Sequence, residues 1–244
     1  MDDSGSTGQP TELFDGDLTV YRRSITIVTC LNVLVLLAAA GCNRDGTQPP
    51  AASIGGSDPA AGGAGGPTLT KPASDPAHPV VLIETSLGNI TIKLDAEKAP
   101  LTVDNFLSYV SAAHYDQTIV HQVYRGQGVL AGGYGTNMIE RPARTPVRNE
   151  AHNGIKNRRG TVSMVRLPDA IDSATCQFFF NVADNPALDH RDRTPEGYGY
   201  CVFGEVTEGL DVVDKMAATE VRDTPDFERT PAQLIVLKSI RRTK

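Results

Sequence analysis

The chain has 244 residues, 40% of them hydrophobic, which is enough for one sizeable domain with appendages. Its formal charge of -6 at pH 7 excludes a nucleic-acid binder that relies on phosphate contacts. Residues 1–42 hold five acids and two arginines, so the remainder has 24 acids against 21 bases, a net -3 that singles out no partner.

Residues 1–20 are polar and acidic, without hydrophobic period. Arg22 and Arg23 then precede an apolar run from Ile25 to Gly41. Basic residues before an apolar stretch that ends in small residues are the layout of a secretory signal. The run closes Leu37-Ala38-Ala39-Ala40-Gly41-Cys42, which resembles the lipobox of bacterial lipoproteins and implies acylation of Cys42. Ala39 stands where leucine is commoner. Cleavage near Ala38–Ala40 and an uncleaved anchor helix are the competing readings; a run of about 17 residues is at the short end for a membrane span. All three place the rest of the chain outside the cytoplasm, tethered at the cell envelope in two of them. Residues 43–78 are rich in Gly, Ala, Pro and Ser, a flexible tether with nothing to bury.

From residue 79 the pattern becomes that of a folded domain. Val80–Thr85 and Ile90–Leu94 alternate as two strands around the turn Leu87-Gly88-Asn89. Ala99-Pro100-Leu101-Thr102 opens a helix, with Thr102 expected as N-cap and Val103, Phe106, Leu107 and Val110 on one stripe. Further strands are predicted at Thr118–Tyr124, Gly128–Tyr134, Gly160–Val165, Gln177–Val182, Tyr200–Thr207 and Leu234–Ile240. A second helix is predicted at Leu210–Ala217. About eight short strands with Gly-rich turns favour a closed barrel, because closure removes sticky edges.

The four cysteines have no zinc spacing. Cys176 and Cys201 are compatible with a disulfide outside the cytoplasm, but two buried thiols are the commoner arrangement. Asp184, Asp189, His190 and Asp192 could suggest a metal cluster; a solvated polar turn is the better reading.

Five phrases carry a resemblance: TSLGNITIKL (85–94), KAPLTVDNFLSYV (98–110), VRNEAHNGIKNRRGTVSM (147–164), SATCQFFFNVADNPALD (173–189) and GYGYCVFGEVTEGLDVVDKM (197–216). With them, residues 79–244 resemble a bacterial-type cyclophilin over nearly their full length. The resemblance implies a mainly β fold, a closed eight-stranded antiparallel barrel with two capping helices. It also implies cis–trans isomerisation of Xaa–Pro bonds without metal or cofactor, by a monomer acting on proline-containing unfolded or extended polypeptides.

The family's catalytic Phe-His-Arg is here Val120-His121-Gln122, so the arginine position holds Gln122. The Gly-Phe-Met-x-Gln-Gly-Gly run is here Gly126-Gln127-Gly128-Val129-Leu130-Ala131-Gly132. The resemblance therefore assigns catalysis to Gln122 and Gln177. It assigns substrate contact to Gln127, Leu130, Val165, Arg166, Leu167, Phe179, Leu188 and Tyr200. Gln177 and Phe179 should share a strand face, with Phe178 turned into the core. Ala187 stands where some members have an aromatic residue. Gln122 donates without charge, and charge-assisted bonds are roughly twice as strong as neutral ones. Losing 2–3 kcal/mol in the transition state would cost about 30- to 150-fold in rate. Arg125 could return a cation only if the strand were irregular. The alternative function is a non-catalytic module that grips proline peptides on the same fold.

Overall fold

The computed structural model describes residues 75–243. Cys42, the apolar run and nearly all of the tether lie outside the described residues.

Among the described residues, ten strands and two α-helices follow in chain order. These are β1 (Val80–Thr85), β2 (Asn89–Leu94), α1 (Pro100–Ser111), β3 (Thr118–Tyr124), β4 (Gly128–Gly135), β5 (Thr161–Met164), β6 (Phe178–Asn181), β7 (Val202–Glu208), α2 (Leu210–Ala217), β8 (Val221–Arg222), β9 (Thr230–Pro231) and β10 (Val236–Arg242). Eight of the strands close a barrel in the order β1-β10-β3-β4-β6-β5-β7-β2, while β8 and β9 form a small ribbon outside it. The pairings are antiparallel throughout.

The barrel interior is set by period-two alternation. Val81 and Ile83 of β1 face Ile92 and Ile90 of β2 in register, and all four are fully buried. Val120, Val123, Val129, Ala131, Met164, Phe178, Phe180, Phe203, Leu237 and Ile240 belong to the same core, joined by Val103, Phe106 and Val110 from α1 and by Val212, Val213 and Met216 from α2. Phe106 meets Phe178 edge-on at 5.6 Å, a favoured aromatic geometry.

Helix α1 begins one turn earlier than a Thr102 cap would allow. Pro100 occupies its first turn and the N-cap is Ala99, which offers no side-chain bond. Proline's fixed φ and missing N–H suit that position. Thr102 is therefore inside the helix, and the cap comes from far away in sequence. The Glu150 carboxylate accepts from the N–H groups of Leu101 (3.2 Å) and Thr102 (2.9 Å) and from the Thr102 hydroxyl (2.8 Å). A carboxylate there also faces the positive end of the helix dipole.

Cys176 and Cys201 are both free and buried. Burial raises their thiol pKa values to about 11 and about 12, so neither is a reactive thiolate near neutrality.

Candidate active site

A second, smaller apolar cluster stands apart from the barrel core. Phe179, Leu188 and Tyr200 are buried together, with Leu130 and Val165 packed against them. Strand pairing explains how they meet. Leu130 on β4 lies opposite Phe179 on β6 and opposite Gln122 on β3, and directly opposed residues of an antiparallel pair share a face. Phe178 is in the main core and Phe179 in this outer cluster, the alternation that a strand requires. A Cβ at Gly128 would come within 3.1 Å of the Phe180 carbonyl oxygen, so this position of β4 is tight against the β6 backbone.

Leu188 and Tyr200 reach the cluster from loops held by buried polar groups. Tyr200 N–H donates to the Leu188 carbonyl (2.9 Å). Asn157 Nδ2 donates to the carbonyls of Leu188 (3.0 Å) and Tyr200 (3.3 Å), while its Oδ1 accepts from Ser163 Oγ (2.8 Å). Arg166 completes this brace. The resemblance assigns it to substrate contact, but it is buried and its guanidinium donates to the carbonyls of Gly199, Leu167, Pro168 and Pro195. It also lies over the Tyr200 ring at 4.9 Å. Four internal acceptors and a stacked ring make Arg166 a support of the pocket wall. Leu167, half-buried, follows it in the same loop, where its N–H donates to Ser173 Oγ (2.8 Å).

The β3 edge of the site contains a bulge. Val120 pairs with Ala131 and Gln122 with Leu130, so β3 spends one extra residue between them. Bulges re-aim side chains and recur beside active sites. Here Val120 and Val123 stay in the core, with His121 and Gln122 between them. His121 is buried, packed on Tyr134 (4.9 Å between centroids) and Phe227 (5.6 Å). Desolvation holds its pKa at about 3, so it is neutral at physiological pH and poorly suited to accept a proton. Gln177 is half-buried and lies across Gly133, where a Cβ would come within 2.6 Å of its Cγ.

Gln122 is half-buried and points its Nε2 at the Glu228 carbonyl at 3.5 Å. Arg125 lies beyond the strand end and donates to the Thr219 carbonyl (3.0 Å), so it supplies no cation to Gln122. Gln127 sits in the β3–β4 turn, where its carbonyl accepts from Asn185 Nδ2 (2.9 Å) and Val182 N–H (3.0 Å). Ala187 is exposed beside Leu188. Asp184, Asp189 and Asp192 accept bonds from the backbone N–H groups of Arg159, Asn157 and Thr194, and His190 Nδ1 lies 2.8 Å from the Tyr198 carbonyl oxygen. They shape loops.

Sequence reasoning missed Tyr124, Tyr134, Phe227 and Arg229. Tyr124 lies two residues beyond Gln122 on the same strand, which is a readable signal. Phe227 and Arg229 come from residues 218–233, a stretch with neither periodicity nor recognisable phrase.

The site brings together an outer apolar cluster and a neutral amide, Gln122, at its β3 edge. The family model described as cyclophilin type peptidyl-prolyl cis-trans isomerase/CLD matches residues 80–241. Peptidyl-prolyl cis-trans isomerase A of Dickeya dadantii is 45% identical over 65% of this chain and 82% of its own length. Peptidyl-prolyl cis-trans isomerase B of Escherichia coli is 40% identical over 66% of this chain and 98% of its own. A crystal structure of a Cryptosporidium parvum cyclophilin type isomerase, in the presence of the dipeptide Ala-Pro, shares the fold. Its TM-score is 0.56 at 21% identity, covering 68% of this chain and 99% of that one. The chain belongs to the cyclophilin-type peptidyl-prolyl cis-trans isomerases.

Proposed function

We propose that this chain isomerises Xaa–Pro bonds in unfolded or extended segments of exported proteins, at a rate limited by Gln122. The observation that carries this reading is the outer apolar cluster of Phe179, Leu188 and Tyr200, with Leu130 and Val165, directly beside Gln122. Rotation about a prolyl bond is opposed by amide resonance, with a barrier of roughly 18–20 kcal/mol. A pocket that buries the pyrrolidine ring fixes one side of the bond. Donors at its edge then stabilise the twisted amide more than the planar one, which is the condition for catalysis. Gln122 is a neutral donor. Alone it should leave this chain about 30- to 150-fold slower than an arginine-bearing member.

Export is proposed from Arg22, Arg23, the apolar run and Cys42, with residues 43–78 as a tether that gives the domain reach from a membrane surface. Lipid on Cys42 would add affinity per buried methylene. Labelling with a fatty-acid analogue should mark the chain and spare Cys42→Ser; equal labelling of both would remove the lipid anchor.

Gln122 and Gln127 also favour a second reading, a module that binds proline peptides without turning them over. Isomerisation of an Xaa–Pro tetrapeptide by the full chain, with titration of the same peptide, separates the two. Saturable turnover supports the enzyme. Binding without turnover supports the module, and neither one retires both.

A further inference from the structure

The segment Phe227-Glu228-Arg229 runs alongside the bulged end of β3. Phe227 packs on His121 and meets Tyr134 edge-on at 4.6 Å. The Glu228 carbonyl receives the Gln122 amide, and the Arg229 carbonyl accepts from Val123 N–H at 3.0 Å. Arg229 N–H donates to Asp223 Oδ1 at 2.9 Å. The turn before it is closed by Thr224, whose hydroxyl bonds both N–H and carbonyl of Phe227. Arg229 has φ of 54°, a left-handed conformation that costs a non-glycine residue and persists where surrounding contacts over-determine it.

These contacts place a guanidinium at the edge of the site that lacks one. The Arg229 guanidinium carbon sits 4.8 Å from the centroid of the Tyr124 ring. The Gln122 amide reaches the Glu228 carbonyl next to Arg229 in the chain, so the amide and the cation stand side by side along Tyr124. Tyr124 shares a strand face with Gln122 and lies within electrostatic range of Tyr200, the wall of the pocket. Burial raises the Tyr124 hydroxyl's pKa and the Arg229 charge opposes that rise. Arg229 itself is exposed, open to an arriving peptide.

We infer that Arg229 supplies, from the loop after α2, the catalytic cation that position 122 lacks. The inference rests on the Xaa–Pro reading of the pocket. No covalent bond forms or breaks and no proton is transferred: the prolyl C–N bond turns, and the guanidinium N–H donates to the amide as its nitrogen gains lone-pair character. The Tyr124 face holds the cation in place beforehand, so little reorganisation is needed at the moment of rotation. Part of the deficit expected from Gln122 is thereby recovered.

The experiment uses the full chain with an Xaa–Pro tetrapeptide. It measures kcat/KM, the Kd of the peptide and Tm, for the wild type, Arg229→Ala and the double variant Gln122→Arg/Arg229→Ala. Arg229→Ala should lower kcat/KM about tenfold or more, with Kd and Tm unchanged. Returning an arginine to β3 in the double variant should restore most of the loss. A rate within about threefold of wild type for Arg229→Ala overturns the inference. So does a loss that the double variant fails to restore, because that would be damage to the loop and not removal of a charge. A wild type that binds without turnover would retire the isomerase reading as well, whereas an active wild type indifferent to Arg229→Ala retires this inference alone.

Discussion

Phe179 is where the outer pocket is most exposed to a single change. Its ring touches Tyr200 edge-on at 5.9 Å and pairs across the strands with Leu130. Because it stands outside the barrel core, truncation should harm substrate capture more than folding. Phe179→Ala is expected to weaken peptide binding by about 2 kcal/mol, some thirtyfold, with a smaller loss of Tm than Phe178→Ala inside the core. Peptide titration beside thermal melting checks both halves. His121 is the second residue with a testable consequence. Its folded pKa is depressed to about 3, while the unfolded value is near 6.5. The unfolded chain therefore binds the extra proton first, and the stability of keeping His121 neutral is fully present above pH 6.5. It is lost as pH falls from 6.5 towards 3, by up to about 1.4 kcal/mol per pH unit. Phenylalanine can keep the ring packing on Tyr134 and Phe227 without titrating. His121→Phe should flatten the decline in Tm between pH 6.5 and 4. An identical decline in both proteins would show that the exposed carboxylates, which act in the same direction, account for all of it.

At the scale of elements, α1 depends on a partner far along the chain. Glu150 satisfies two backbone N–H groups and the buried Thr102 hydroxyl, and unpaired buried donors cost about 1–3 kcal/mol. Glu150→Ala should destabilise the domain by that order, and Glu150→Gln by less because its carbonyl oxygen still accepts. Chemical denaturation of the three proteins measures the series. The same elements show what can be read from sequence. The β1–β2 hairpin and α2 are legible because their apolar residues alternate or recur with the period of the element. Thr102 misleads because a threonine near a helix start is usually a cap, and only the placement of Pro100 shows that the helix has already begun. The bulge at His121 and Gln122 carries no local signal, since it is set by the register of β4. Arg166 misleads differently: a charged side chain is expected at the surface, and its carbonyl partners come from loops that sequence does not place. Arg229 is hidden for the same reason. Its neighbour Glu228 lies 106 residues from Gln122, and nothing in the intervening pattern joins them.

For the whole molecule, the closed barrel decides what the domain needs from the rest of the chain. Every barrel strand contributes to the single core, and closure leaves no long unpaired edge for another segment to complete. Among the described residues, the segment that starts at Asp75 already pairs with the barrel: the Ala77 carbonyl accepts from Ala96 N–H (2.8 Å) and the Pro79 carbonyl from Leu94 N–H (2.8 Å). The pocket, the Asn157 and Arg166 braces and the Arg229 loop all lie after that point. A chain beginning at Asp75 should therefore melt within about 2 °C of the full chain and turn over a short peptide within about twofold of its rate. The proposed tether separates the two proteins in another measurement. The full chain should sediment with membranes and the shortened one should remain in the supernatant. Loss of peptide turnover on shortening would mean that residues before Asp75 complete the site. Equal sedimentation would mean that the domain itself, and not the N-terminal segment, holds the membrane.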